Sequence, residues 1–361
     1  VTATLARDPA SRTTFHALTV ADVRRLTDDA VAVTFDVPLE LRELFAFEAG
    51  QSLTLRRTID GVEHRRTYSI CSPVGSAPRI GVREIPGGLF SSWLVHQVRP
   101  GDRIEVQAPS GSFRADPSTG GRHLCIAAGS GITPMLSIAA SVLTNPAAKV
   151  TLLYGNRTTT SVMFAEELSD LKDAHHQQLD LVHVLSREPR DVELFSGRLD
   201  GERLRQLLTV LVPLADVDHV WICGPLAMLT DARAVLAELG VPDANVHFEL
   251  FYVDEPPPQL RHADRVVDGV TSDVTVVIDG RTTTTPMPRD TTILDAAQAI
   301  RSDLPFACKG GVCGTCRAKV CAGEVDMVRN YALEPDEVAD SFVLTCQSFP
   351  VSPEVTVDYD A

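Results

Sequence analysis

Five of the eight cysteines fall between residues 308 and 346, and three of them make the run Cys308-Lys-Gly-Gly-Val-Cys313-Gly-Thr-Cys316. Cys346 follows thirty residues on. A C-x4-C-x2-C run with a distant fourth cysteine is the spacing of thiolates that hold a [2Fe–2S] cluster. Four thiolates and two sulfides concentrate negative charge, so backbone N–H groups must turn toward the sulfurs. Gly310, Gly311 and Gly314 supply the backbone freedom for that. Zinc is the other metal for four thiolates, but structural zinc sites usually show two C-x2-C pairs and only one is present. Cys321 fits no ligand position and reads as a small buried hydrophobe.

Two other stretches carry chemistry. Ala128-Gly129-Ser130-Gly131-Ile132-Thr133-Pro134 follows an apolar strand and opens a helix, the context of a dinucleotide loop. Pro134 stands where a third glycine is usual and suits the first helical turn, which needs no N–H there. Arg157 and Arg187 both follow strand ends, at Tyr154-Gly-Asn156-Arg157 and Ser186-Arg187. A cation there favours a 2′-phosphate, hence NADPH over NADH; Glu188, beside Arg187, counts the other way. His175-His176 has no carboxylate or cysteine at ligand spacing and reads as a solvated helix end.

These residues need elements to hold them. From 13 to 118 short β-rich runs alternate with turns, and Asp60-Gly61 marks a hairpin, so a small antiparallel barrel is expected. From 119 to 252 strands and helices alternate, which predicts a doubly wound parallel sheet. Asp254-Glu255-Pro256-Pro257-Pro258 opens a stiff linker over 253–270. Residues 271–361 form a third, α+β domain: a hairpin around Asp279-Gly280, a short helix from Ile293, then the cysteine loop.

The last domain resembles plant-type ferredoxins of the β-grasp fold, and the preceding two resemble the ferredoxin-NADP reductase superfamily. The order reductase–linker–ferredoxin is similar to the reductase components of multicomponent bacterial oxygenases. Within them it resembles the reductase subunits of phenylacetyl-CoA epoxidases, through Tyr154–Arg157, Ser161–Phe164, Leu304–Cys313, Asn330–Glu337 and Val357–Ala361. Arg66-Thr67-Tyr68-Ser69 is similar to that superfamily's flavin motif. By this likeness Arg66 pairs with the flavin pyrophosphate, Tyr68 stacks on the ring and Ser69 bonds near N5. Gly88-Leu89-Phe90-Ser91 resembles its Gly-x-x-Ser turn, which makes FAD the expected flavin. Cys223-Gly224-Pro225, with Met228, is similar to its Cys-Gly-Pro motif, which places Cys223 beside the nicotinamide. The likeness also puts Glu249 and Phe251 near the flavin. Ser69, Cys223 and Glu249 are then the catalytic candidates. The implied path runs from NADPH through FAD and the cluster to a di-iron oxygenase acting on phenylacetyl-CoA. The rival expectations are service to a steroid- or ring-hydroxylating oxygenase, or a passive electron carrier.

Composition narrows the partners. With 33 basic and 48 acidic residues the net charge is −15, which excludes a nucleic-acid backbone and an anionic membrane surface as expected partners. The acidic C-terminal domain suits a basic partner protein. Residues 124–148 carry no charge, but Gly129, Gly131, Pro134 and Pro146 interrupt them, so they read as strand, loop and buried helix, not a membrane span. Val1–Val20 has no apolar core of a signal peptide, which leaves the cytoplasm as the expected location.

Overall fold

The computed structural model describes residues 14–59, 61–251, 270–301, 304–333 and 335–361. The expected linker lies, except for Val270, outside the described residues. Contacts gather the chain into two units: Val1–Phe15, Arg56–Thr67 and Glu255–Ala361 form one, and His16–Leu55 and Tyr68–Asp254 the other.

Six antiparallel strands come first: β1 (Phe15–Thr27), β2 (Ala30–Asp36), β3 (Ser52–Ile59), β4 (Val62–Ser69), β5 (Arg79–Arg83) and β6 (Arg103–Gln107). Their order is β4-β3-β6-β1-β2-β5. A bridge between Ile70 and Ile80 joins the two end strands, so the sheet closes as a barrel and leaves no such edge unpaired. Leu18, Val33, Phe35, Leu53, Leu55 and Ile80 fill it, and Leu94 of helix α1 (Leu89–His96) caps it.

The parallel sheet follows: β7 (Gly121–Ala128), β8 (Ala148–Asn156), β9 (Leu179–Leu185), β10 (His219–Gly224) and β11 (Val246–Leu250), ordered β11-β10-β7-β8-β9. The helices are α2 (Ile132–Val142), α3 (Ala165–Ala174), α4 (Gly201–Leu211) and α5 (Leu226–Glu238). Helix α4 was not among the expected elements, yet its signals are local. Asp200 caps it by accepting from the Arg203 N–H, and Leu204, Leu207 and Leu208 give it a buried face. Barrel and parallel sheet are tied by ions: both Arg79 Nη atoms on β5 bond the two Glu167 oxygens on α3, at 3.1 and 2.5 Å. Across the sheet, His123, His219, Trp221 and His247 stack as a row of rings, with Trp221 and His247 centroids 4.4 Å apart.

The C-terminal strands are β12 (Thr271–Ile278), β13 (Arg281–Pro288), β14 (Arg317–Ala322), β15 (Val325–Met327), β16 (Phe342–Leu344), β17 (Ser348–Pro350) and β18 (Glu354–Asp358), with helices α6 (Ile293–Gln298) and α7 (Pro335–Ala339). The main sheet, β13-β12-β18-β14-β16, is mixed; β12 and β18 run parallel at its centre. Val274, Val276, Val355 and Val357 pack with Ile293 and Leu294 of α6 as the core. One expectation fails here: Cys321 is exposed, not buried. Ala318 of β14 is buried on the core side, and the two-residue period turns Cys321 to the other face.

The start of α2 is packed tightly on β10. A Cβ on Gly131 would lie 2.1 Å from the Cys223 carbonyl oxygen. Gly131→Ala is therefore expected to lower stability by about 1–3 kcal/mol through overpacking, read as a fall in melting temperature.

Candidate functional site

The four cysteines of the spaced motif fall into two interacting pairs, Cys308 with Cys313 and Cys316 with Cys346. Among the described residues no group of three or more His, Cys, Asp or Glu side chains is placed to hold one metal ion. Paired thiols suit a two-iron cluster, which takes two thiolates per iron, better than a single zinc. The loop backbone is turned as the charge requires. Gly310, Val312 and Cys313 N–H groups donate to Cys308 Sγ at 3.3, 3.4 and 3.4 Å. Lys309 and Gly311 take positive φ, 52° and 78°, to allow it. The bond from Cys313 and these N–H groups hold the Cys308 thiol below its ordinary value, against burial. Gln347 braces the loop by donating to the Lys309 carbonyl at 2.9 Å.

Arg66, Thr67, Tyr68 and Ser69 are consecutive on β4. Arg66 is exposed and donates to the Arg65 carbonyl at 2.6 Å. Tyr68 lies 6.2 Å from Phe90, ring to ring, and Phe90 meets Trp93 edge-on at 5.5 Å. Gly88 precedes α1; Leu89 is exposed, and Ser91 Oγ accepts from the Ile85 N–H at 3.1 Å, which fixes the turn. Ser69 Oγ donates to Glu249 Oε2 at 2.8 Å, although the two are 180 residues apart. Burial pushes the Glu249 carboxyl up to about 7, against the pull of that hydroxyl. Glu249 is paired with Cys223 across β11 and β10. The Cys223 thiol is raised well above its ordinary value, first by burial and then by Glu249. The three expected catalytic residues thus stand together. Phe251, just past β11, packs on the core beneath the parallel sheet.

Gly129, Ser130 and Gly131 form a single 3-10 turn between β7 and α2. Thr133 Oγ1 donates to the Ser130 carbonyl at 2.9 Å, and Pro134 sits buried in the first turn of α2. Gly224, Pro225 and Met228 continue from β10 into α5. At the neighbouring strand ends the Ser186 N–H donates to the Asn156 carbonyl and the Arg187 N–H to that of Arg157, at 2.9 and 2.8 Å. The Asn156 side chain is buried beside the Tyr154 hydroxyl. Arg157 is engaged: its Nη2 lies 3.3 Å from Asp29 Oδ2. Asp29 also meets Arg83 Nε at 3.3 Å. Burial would raise the Asp29 carboxyl, but Thr27, Arg83 and Arg157 together hold it below its ordinary value. Arg187 is exposed, and its neighbour Glu188 is turned away, accepting from Thr159 N and Oγ1 at 2.8 and 2.6 Å. Sequence reasoning missed Asp29, Arg83 and Tyr154, whose hydroxyl donates to the Gly129 carbonyl at 3.0 Å. Asp29 and Arg83 lie in no motif, and Tyr154 was read only as the start of the Tyr154–Arg157 stretch.

Three family models match in series: an oxidoreductase FAD-binding domain over residues 17–115, an oxidoreductase NAD-binding domain over 125–234 and a 2Fe-2S iron-sulfur cluster binding domain over 276–351. Such a series defines an NAD(P)H-dependent flavin and iron–sulfur oxidoreductase. A component of the 1,2-phenylacetyl-CoA epoxidase of Escherichia coli is 47% identical over 97% of this chain and 99% of its own. The ferredoxin reductase component of 3-ketosteroid-9-alpha-monooxygenase from Rhodococcus rhodochrous is 34% identical over 95% of this chain and 96% of its own. Phthalate dioxygenase reductase, described as a modular structure for electron transfer from pyridine nucleotides to [2Fe-2S], superposes with a TM-score of 0.60 at 25% identity, over 95% of this chain and 98% of that one. The chain belongs to the ferredoxin reductase superfamily, in the branch that carries a C-terminal [2Fe–2S] domain. No helix among the described residues is long and apolar enough to cross a membrane.

Glu249 gives the site a measurable sign. Its carboxyl binds a proton in the folded state between its ordinary 4.5 and about 7, where the unfolded chain binds none. Stability is therefore lost as pH rises through that window. Glu249→Gln should melt higher than the wild type at pH 8, by at most about 3 kcal/mol in stability, with the gap closing by pH 5.

Proposed function

We propose that this chain takes electrons from NADPH and passes them, through FAD and a [2Fe–2S] cluster, to the oxygenase component of a di-iron monooxygenase that epoxidises the ring of phenylacetyl-CoA. The observation that carries this reading is the 47% identity to the Escherichia coli epoxidase component, which runs nearly end to end in both chains. In this reading the flavin domain is 13–118, the nucleotide domain 119–252, the linker 253–270 and the ferredoxin domain 271–361, and the protein works in the cytoplasm.

The chain's own residues divide the labour. Arg66, Thr67 and Tyr68 hold the flavin, with Phe251 beside it, and the N–H groups at Gly88, Leu89 and Ser91 take its pyrophosphate. Gly129 to Pro134 and Cys223 to Met228 frame the nicotinamide nucleotide between them. Ser69 Oγ and Glu249 Oε2 share a proton beside the Cys223 thiol, which burial keeps protonated. Cys308 with Cys313 and Cys316 with Cys346 would each hold one iron of the cluster. When bound, FAD accepts two electrons together and the cluster passes them on singly.

The choice of NADPH rests on Arg187. Its guanidinium is exposed, and Glu188 bonds Thr159 instead of neutralising it. Arg157 stands next to it through the backbone but is paired with Asp29. Arg187→Ala should raise KM for NADPH about 10-fold, the worth of one charge-assisted contact, and leave KM for NADH within about twofold. Equal effects on both would remove Arg187 from the 2′-phosphate site.

The 34% likeness to the 3-ketosteroid monooxygenase component favours a second reading, service to a steroid-hydroxylating oxygenase. Reconstitution separates them. Mixed with the phenylacetyl-CoA epoxidase oxygenase component, the purified protein should consume NADPH only when phenylacetyl-CoA is added. Coupling to the ketosteroid oxygenase alone would overturn the assignment.

A further inference from the structure

Arg65 is the anomaly among the basic residues of its hairpin. It is 4% exposed, whereas Arg66, next to it in the flavin motif, is exposed. A buried guanidinium must be paired on every side or it destabilises the fold. Here Nε donates to Glu63 Oε1 at 2.7 Å, and Nη1 donates to the Leu304 carbonyl at 3.0 Å. The planar group also lies 4.2 Å from the centroid of the Phe306 ring. Arg65, Leu304 and Phe306 all belong to the unit formed by Arg56–Thr67 and Glu255–Ala361.

The grip falls on the segment that leads into the cluster loop. Leu304 is fully buried in the C-terminal core, and Cys308, the first motif cysteine, is four residues on. Lys309 covers the Phe306 ring as well, with its Nζ 4.9 Å from the centroid. Arg65, Arg66, Phe306, Ala307, Cys308 and Lys309 line one cavity of about 640 Å³. A flavin-motif arginine and a cluster cysteine therefore face the same space, and Arg65, on one wall, bonds the backbone of the segment that forms the other.

We propose that Arg65 is a positioning residue for electron delivery to the cluster. By bonding the Leu304 carbonyl and stacking on Phe306, it holds the Leu304–Cys308 segment against the strand that carries Arg66. The step it serves moves one electron from flavin to cluster, with no bond made or broken. Its rate depends on a fixed separation, as any reaction between held groups depends on their placement. Lysine cannot replace the fork, because one ammonium cannot bond the carboxylate and the carbonyl in one plane while stacking on the ring. The inference rests on the electron path given under Proposed function.

The test compares the wild-type holoprotein with Arg65→Lys and Arg65→Met, the second keeping much of the apolar stem. Ferricyanide draws electrons from the flavin and cytochrome c from the cluster. Both variants should keep ferricyanide reduction by NADPH within about twofold, and lose about 10-fold or more in cytochrome c reduction. Iron and sulfide content should be unchanged, and amide exchange over residues 304–313 should quicken. Unchanged cytochrome c reduction in both folded, cluster-loaded variants would overturn the proposal. Equal loss with both acceptors would overturn it too, as would loss of the cluster itself, since each makes Arg65 a structural residue only. Were the wild type to pass no electrons to cytochrome c, the electron path would fall, while the exchange measurement would still decide whether Arg65 holds the segment.

Discussion

The register of the parallel sheet governs the nucleotide half of the protein. Ala127, Cys223 and Glu249 are paired side by side on β7, β10 and β11. Each strand therefore stops at the same level, and each releases its motif there: the glycine turn after β7, Cys-Gly-Pro after β10, the carboxylate near the end of β11. A slip of one residue would turn Glu249 to the other face and break its bond with Ser69. The closeness of Gly131 to the Cys223 carbonyl has the same origin, because neighbouring strands that end level crowd their exits.

Charge organises the other half. The cluster loop spends its conformational freedom on aiming three N–H groups at Cys308 Sγ, and the left-handed Lys309 and Gly311 lie among them. Around it the braces come from a distance in sequence: Gln347, beside Cys346, to the Lys309 carbonyl, and Tyr359 through Thr345 to the Cys316 carbonyl. A site that must accept negative charge is thus built from backbone dipoles first and held by uncharged side chains next.

What the sequence disclosed follows the range of the interactions. The cysteine spacing, the glycine turn and the strand–helix alternation are local, and each was legible. Helix α4 was equally local, with its Asp200 cap and leucine face, but carried no chemistry to draw attention. Cys321 was misread because a lone cysteine says nothing of which face of its strand it occupies. The Ser69–Glu249 bond spans 180 residues and the Arg65–Leu304 bond 239, so only the folded chain could pair them. The same holds for Asp29, which joins arginines from two different modules. Glu188 shows the reverse error: adjacency to Arg187 suggested neutralisation, whereas the backbone turns the two side chains apart.

The chain has two tryptophans, one in the barrel module and one in the parallel sheet. Trp93 leans on Phe90 at the flavin turn, and Trp221 lies flat against His247 in the parallel sheet. The protein thereby carries two optical reporters with unlike surroundings. Trp93 emits from beside aromatic carbon. Trp221 sits within a row of imidazole rings. Intrinsic fluorescence thus has one indole in the barrel and one in the parallel sheet, with no label added.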